Sequence, residues 1–209
     1  MKLPFIKTKP NVSRPMLAPA MPYILIVGGV IGTICSFVLS NDTINSLKNP
    51  HFVPSCNINP VLSCGSVMHS AQGAAFGFPN PWIGLIGFTA MLTVGVAMLS
   101  GAKFTRWFWM AFEVGMAGGV GFAYWLLYQS VFRIQALCPF CLTVDVVITT
   151  VFWYLTLYII REQHFSPPRR LIGISDFARK YHFELLFTWL VIVAALVLHH
   201  FWYYYGQFL

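Results

Sequence analysis

Cys138 and Cys141 form a Cys-Pro-Phe-Cys motif, and an earlier pair, Cys56 and Cys64, has seven residues between its members. Paired thiols exchange disulfides by thiolate attack through mixed-disulfide intermediates. A Cys-x-x-Cys motif at a helix start suits that role, because backbone N–H groups and the helix dipole there favour thiolate. Pro139 fits the first position of such a helix. A zinc site would want a second closely spaced cysteine pair or a histidine pair, and the spacing of Cys56 and Cys64 supplies neither, so no metal is expected. A staple within Cys-x-x-Cys would close too short a loop to stabilise much. Alone, Cys56 and Cys64 read as a plain loop-closing disulfide. With four cysteines facing one compartment, they read instead as a mobile pair, reduced by a soluble dithiol and reoxidised by Cys138–Cys141. The whole is a relay from thiols to a lipid-soluble carrier.

Those residues must be positioned by membrane elements. The chain is 57% hydrophobic and only 9% charged, against about 25% charged in soluble domains. Apolar runs at about 22–40, 82–100, 106–132, 139–160 and 183–205 are each long enough to cross a ~30 Å hydrocarbon core. Continuous runs without two-residue alternation specify helices rather than a barrel. The first run is too long for a signal peptide and has no small-residue cleavage site, so it is expected to be retained. The fold class is therefore an all-α membrane protein in a single integral domain, residues 1–209.

The net charge of +7 is topology information rather than a nucleic-acid footprint, because the basic residues lie in short segments between spans. Eleven (Lys2, Lys7, Lys9, Arg14, Lys103, Arg106, Arg161, Arg169, Arg170, Arg179 and Lys180) fall on one side of a five-span topology, and only Lys48 and Arg133 on the other. The positive-inside rule then puts the N-terminus in the cytoplasm. The 41–81 redox loop and the 133–138 turn are extracytoplasmic, with Cys141 one helical turn inside the membrane. Residues 61–73 have the character of a short helix across the bundle mouth. Trp202 and Tyr203–Tyr205 are placed as an aromatic anchor. Gly28-x-x-x-Gly32 and Gly115-x-x-x-Gly119 read as close packing within one bundle.

The order of features resembles the vitamin K epoxide reductase family, in its bacterial disulfide-forming branch. The resemblance rests on Cys56 and Cys64 in the first outer loop, Ser70 six residues later, Asn80 with Gly84 at the second span, and Cys138-Pro-Phe-Cys141 opening the fourth. The unrelated bacterial disulfide-bond oxidases carry the two pairs in the reverse order. The resemblance implies a four-helix core around a quinone site, with the fifth helix peripheral. It also implies a role for each residue. Cys56 exchanges with a soluble thioredoxin-like thiol oxidase, Cys64 forms a transient disulfide with Cys138, and Cys141 passes electrons to a quinone of ubiquinone or menaquinone type. Asn80 bonds a quinone carbonyl and Ser70 helps to hold the outer loop. Many bacterial relatives carry a fused thioredoxin-like domain. This sequence ends at Leu209 without one, so a separate partner is expected, at the periplasmic or exterior face of a bacterial inner membrane. Asp145 stands where the animal enzymes have a tyrosine, which favours quinone over epoxide reduction.

Other ionisable groups in the spans are candidates for function. Asp145, one turn past Cys141, reads equally as a proton relay beside the quinone or as a structural acid. Glu113 is too far from it in depth to pair and reads as structural. Cys35 reads as a small buried hydrophobe. His199 and His200 read as interfacial packing, and His51 and His69 as loop residues. The basic 161–181 segment, including Ser166-Pro-Pro-Arg-Arg170, sets topology. The competing reading is a non-enzymatic scaffold or assembly factor with structural disulfides; an exporter of reductant would need cytoplasm-facing cysteines, and none is placed there.

Overall fold

A computed structural model of the chain describes residues 17–49, 51–54, 56–162 and 172–205. Among these it contains eight α-helices: α1 Leu17–Lys48, α2 Cys64–Met68, α3 Pro81–Leu99, α4 Arg106–Gln129, α5 Pro139–Arg161, α6 Ile172–Lys180, α7 His182–His200 and α8 Trp202–Tyr205. Five of them (α1, α3, α4, α5 and α7) are long and apolar enough to cross a membrane, and no strand is present among the described residues. The basic N-terminal segment, Ser166, Arg169 and Arg170 lie outside the described residues.

Packing follows the small residues. α1 lies against α3 and α5, and α4 lies against α5. A Cβ on Gly28 would meet Val151 at 2.6 Å, and one on Gly32 would run into the Phe88 ring. The first glycine pair therefore seats α1 within the bundle. The second pair divides: Gly119 faces Ile148 at 2.9 Å, whereas Gly115 opens onto free space. The central layer is apolar, with Met21, Leu25, Met91, Trp109, Val151 and Leu155 at its heart. At the end of the bundle remote from the cysteines, Thr156 donates to Glu113 Oε1 at 2.5 Å. This gives Glu113 one partner on α5, and its Oε2 has none among the described residues.

The peripheral fifth helix is evident. Among the described residues of α7 only Leu186 is buried, and polar contacts help to tie the helix to the core. Trp153 donates to the His182 carbonyl at 3.0 Å, and Trp189 donates to the Tyr124 hydroxyl at 2.7 Å. His200 packs its ring on Phe132 and Phe201.

Two boundaries differ from the sequence expectation. The first helix runs to Lys48 rather than ending near 40. Its added turns are polar, but the outer loop gives them partners: Thr43 Oγ1 meets Met68 Sδ at 3.4 Å and Ser46 Oγ meets His69 Nε2 at 2.8 Å. The last span stops at His200 and the chain bends at buried Phe201 before α8. Trp202 is exposed there, consistent with an interfacial anchor. The short helix expected near 61–73 is α2, followed by a 3₁₀ turn at Ala71–Ala74.

Candidate active site

The cysteine-bearing end is organised by one short backbone bridge. After α4, a π-turn at Ser130–Ile134 ends on Gln135, whose φ of 58° is left-handed and redirects the chain into Ala136–Cys138. Leu137 then pairs in parallel with Leu62: Leu137 N–H donates to the Val61 carbonyl at 2.7 Å, and Ser63 N–H to the Leu137 carbonyl at 2.9 Å. The residues that follow Ser63 and Leu137 are Cys64 and Cys138. The bridge therefore brings the two pairs together.

The loop between Cys56 and Cys64 is more ordered than its composition suggests. Asn59 Oδ1 accepts from Val61 and Leu62 N–H, Asn57 Oδ1 accepts from Gly65 N–H at 2.9 Å, and Ser63 caps α2 by accepting from Ser66 N–H. Swinging this pair away as a free shuttle would break these bonds and the bridge.

Cys56 and Cys64 are joined as a disulfide, and Cys35, Cys138 and Cys141 are free thiols. Cys138 Sγ lies 3.3 Å from Cys64 Sγ, within the distance at which reacting atoms are poised for attack. Cys64 and Cys138 are both buried, in an apolar cluster with Leu39, Cys56, Val67 and Ala136. Cys138 is the N-cap of α5, with Pro139 next and its sulfur accepting from Cys141 N–H at 3.4 Å. The Cys141 thiol, donating to it, holds the Cys138 thiol below its ordinary pKa. The Cys141 and Phe140 N–H groups add to this, against burial and the nearby Asp42 carboxylate.

Cys141 opens onto a cavity of about 790 Å³, within the usual range for small-molecule sites. Its walls come from α1, α3, α4, α5 and the loop, and are mostly apolar: Phe88, Met91, Phe112, Met116, Phe122 and Ile148 among them. α3 and α4 are not packed closely on each other, and the space between them belongs to this cavity. Phe76 of the loop packs on Phe122 of α4 at 5.4 Å, covering the gap at the cysteine end.

The candidate residues divide between cavity and loop. Asp145 lies on the cavity wall one turn past Cys141, and no described residue hydrogen-bonds its carboxylate. Asn80 also lines the cavity, but its amide is engaged with the loop: Nδ2 donates to the Gln72 carbonyl at 2.6 Å and Oδ1 accepts from Ala75 N–H at 3.1 Å. One Nδ2 hydrogen remains for a ligand. Ser70 is not on the wall. Its hydroxyl donates to the Val67 carbonyl at 2.7 Å and accepts from Gly73 N–H, capping the 3₁₀ turn. His51 uses its backbone N–H on Asn49, and His69 is bound to Ser46.

The α4 wall of the cavity (Gly115, Gly118, Gly119 and Phe122) was not singled out by sequence as a binding surface. The small residues Gly115, Ala117, Gly118 and Gly119 were the available signal. Asp42 was missed because it lies beyond the expected end of the first span.

With a thiol series ending on an apolar cavity, the site has the form of a membrane redox centre. The sequence model of the vitamin K epoxide reductase family matches residues 23–156. The chain belongs to that family. The matched region runs from α1 to near the end of α5 and contains all five cysteines. No curated protein matches the chain. Membership in the vitamin K epoxide reductase family makes this a multi-pass membrane oxidoreductase working on thiols.

Proposed function

We propose that the protein oxidises a separate thioredoxin-like dithiol protein at the extracytoplasmic face of a bacterial inner membrane and passes the electrons to a membrane quinone. The observation that carries this reading is the order of sulfurs: Cys56 bonded to Cys64, Cys64 3.3 Å from Cys138, and Cys141 on the cavity wall. Orientation is supported by charge. Among the described residues, Lys103, Arg106, Arg161, Arg179 and Lys180 lie toward one end of the bundle, and Lys48 and Arg133 toward the cysteine end.

Each step is a thiolate displacement. A partner thiolate attacks Cys56, forming a mixed disulfide and releasing Cys64. The second partner thiol then displaces Cys56, so the partner is oxidised and Cys56 and Cys64 hold two electrons. With Cys138–Cys141 oxidised, Cys64 thiolate attacks Cys138 Sγ and releases Cys141. Cys56 then attacks Cys64, restoring Cys56–Cys64 and leaving Cys138 and Cys141 as the dithiol. The residues around the cavity fit a quinone: apolar walls for the ring and chain, a thiol at Cys141, and the free Nδ2 hydrogen of Asn80 for a carbonyl. A bound quinone would supply the acceptor for two electrons and two protons, and the chain's thiols would return to the Cys138–Cys141 disulfide.

Asp145 is the carboxyl on that wall and reads as a proton carrier. Asp145→Asn is expected to slow quinone-dependent oxidation of the inner pair about 100-fold or more, with exchange at Cys56–Cys64 unchanged. Unchanged quinone turnover would remove Asp145 from the mechanism. The reading as a whole is tested by adding quinone to the fully reduced chain. It expects a Cys138–Cys141 disulfide by peptide mapping, with one quinol formed per disulfide. A scaffold with structural disulfides would form no quinol.

A further inference from the structure

Asp42 is a buried acid that the relay does not use. It is 7% exposed, and its Oδ2 has no hydrogen-bond partner among the described residues. Such a group is costly to keep, which asks for a reason. Its position on α1 is set by neighbours one turn away on each side. Leu39 packs into the cluster with Cys56, Cys64 and Cys138, and buried Ser46 is bonded to His69 at 2.8 Å. Asp42 therefore lies on the face of α1 that α2 and the cysteine turn cover. The other titratable groups around Cys138 are Cys35 on α1 and Cys141 and Asp145 on α5, with His69 from the loop occupied by Ser46. Among the described residues no ion pair to Asp42 is present.

We propose that Asp42 is a positioning residue for the Cys64–Cys138 exchange, its carboxylate biasing Cys138 away from free thiolate and toward the disulfide-bonded state. The inference rests on the relay reading. In the exchange, Cys138 thiolate attacks Cys64 Sγ, the Cys64–Cys138 bond forms, and the Cys56–Cys64 bond breaks. The electron pair leaves on Cys56, which takes up a proton. The number of disulfides is unchanged, but a negative charge near Asp42 is removed from Cys138. Like charges at close range in a poorly solvated patch repel, so an ionised Asp42 favours every state in which Cys138 is bonded. This matches the direction of its influence on Cys138, which opposes the hydrogen bonds from Cys141 and Phe140. A carboxylate here makes the inner pair a readier electron donor to the acceptor beyond it.

The test uses the full chain carrying Cys141→Ala, so that a single disulfide is shared among Cys56, Cys64 and Cys138. The ratio of Cys64–Cys138 to Cys56–Cys64 is read by acid quench and peptide mass spectrometry across a pH series. Lowering the Cys138 pKa makes thiolate, and hence the unbonded state of Cys138, more favourable at a given pH. Because Cys141→Ala removes the thiol hydrogen bond that lowers Cys138, Asp42→Asn is expected to lower the ratio roughly 3- to 10-fold at about pH 10, with the two profiles converging at acid pH, where all thiols are protonated. Asp42→Glu, which keeps the charge, is expected to follow the parent. Superimposed parent and Asn profiles, or a Glu variant that follows Asn, would overturn the role of Asp42. Failure to form any Cys64–Cys138 disulfide, in parent or variant, would overturn the relay itself.

Discussion

Replacing Cys141 with alanine is expected to abolish quinol formation, a loss of at least about 1,000-fold, comparable to removing a covalent catalyst. The remaining disulfide should then be shared between Cys56–Cys64 and Cys64–Cys138. Cys138 and Cys141 both line the cavity, and Cys141, which donates to Cys138, lies one turn further along α5. Without it, only Cys56 can resolve a Cys64–Cys138 disulfide, which returns Cys56–Cys64 and passes no electrons to the cavity. Cys138 still lies 3.3 Å from Cys64, so the first exchange survives. Non-reducing peptide maps read the shared disulfide and absorbance reads the quinol. Residual quinol formation near the parent rate would mean that electrons leave the thiols elsewhere.

The second large effect concerns the bundle. At Gly29 a Cβ would lie 2.8 Å from the Cα and N of Leu92, so α1 and α3 touch through backbone. A helix backbone cannot move aside as a side-chain end can. Gly29→Leu is expected to force the two helices apart at a cost of about 3 kcal/mol or more, lowering the apparent melting temperature in detergent by roughly 6–12 °C. Gly115→Leu provides the contrast, because Gly115 has open space around it and lines the cavity. It should leave the melting temperature nearly unchanged and raise the quinone concentration needed for turnover. Equal effects of the two substitutions on melting would contradict this division between packing glycine and cavity glycine.

The distinction shows what the residues alone disclosed. Helices α3 and α5 were legible almost to the residue, because a hydrophobic run bounded by proline at one end and polar residues at the other leaves little freedom. The polar end of α1 was not, since hydropathy cannot know that Met68 and His69 will arrive to satisfy Thr43 and Ser46. The pairing of cysteine regions was legible in kind through motif order. The device that creates it, two backbone bonds between residues 61–63 and Leu137, carries no side-chain signature. The same limit explains Asp42. Its exceptional surroundings come from three separate segments meeting around it. Gly28 and Gly115 begin identical motifs, yet one packs and the other opens a cavity, because only the register of neighbouring helices decides which.

The central claim is that electrons pass from an outside dithiol through both cysteine pairs to a quinone. Its most direct test is anaerobic turnover of the purified chain with a reduced thioredoxin-like protein and a quinone, following quinol by absorbance and partner disulfide by mass. The account predicts one quinol per partner disulfide, with turnover lost in the alanine variant of each of Cys56, Cys64, Cys138 and Cys141. Disulfide exchange with the partner but no quinol from any quinone, or full turnover without Cys64, would contradict it.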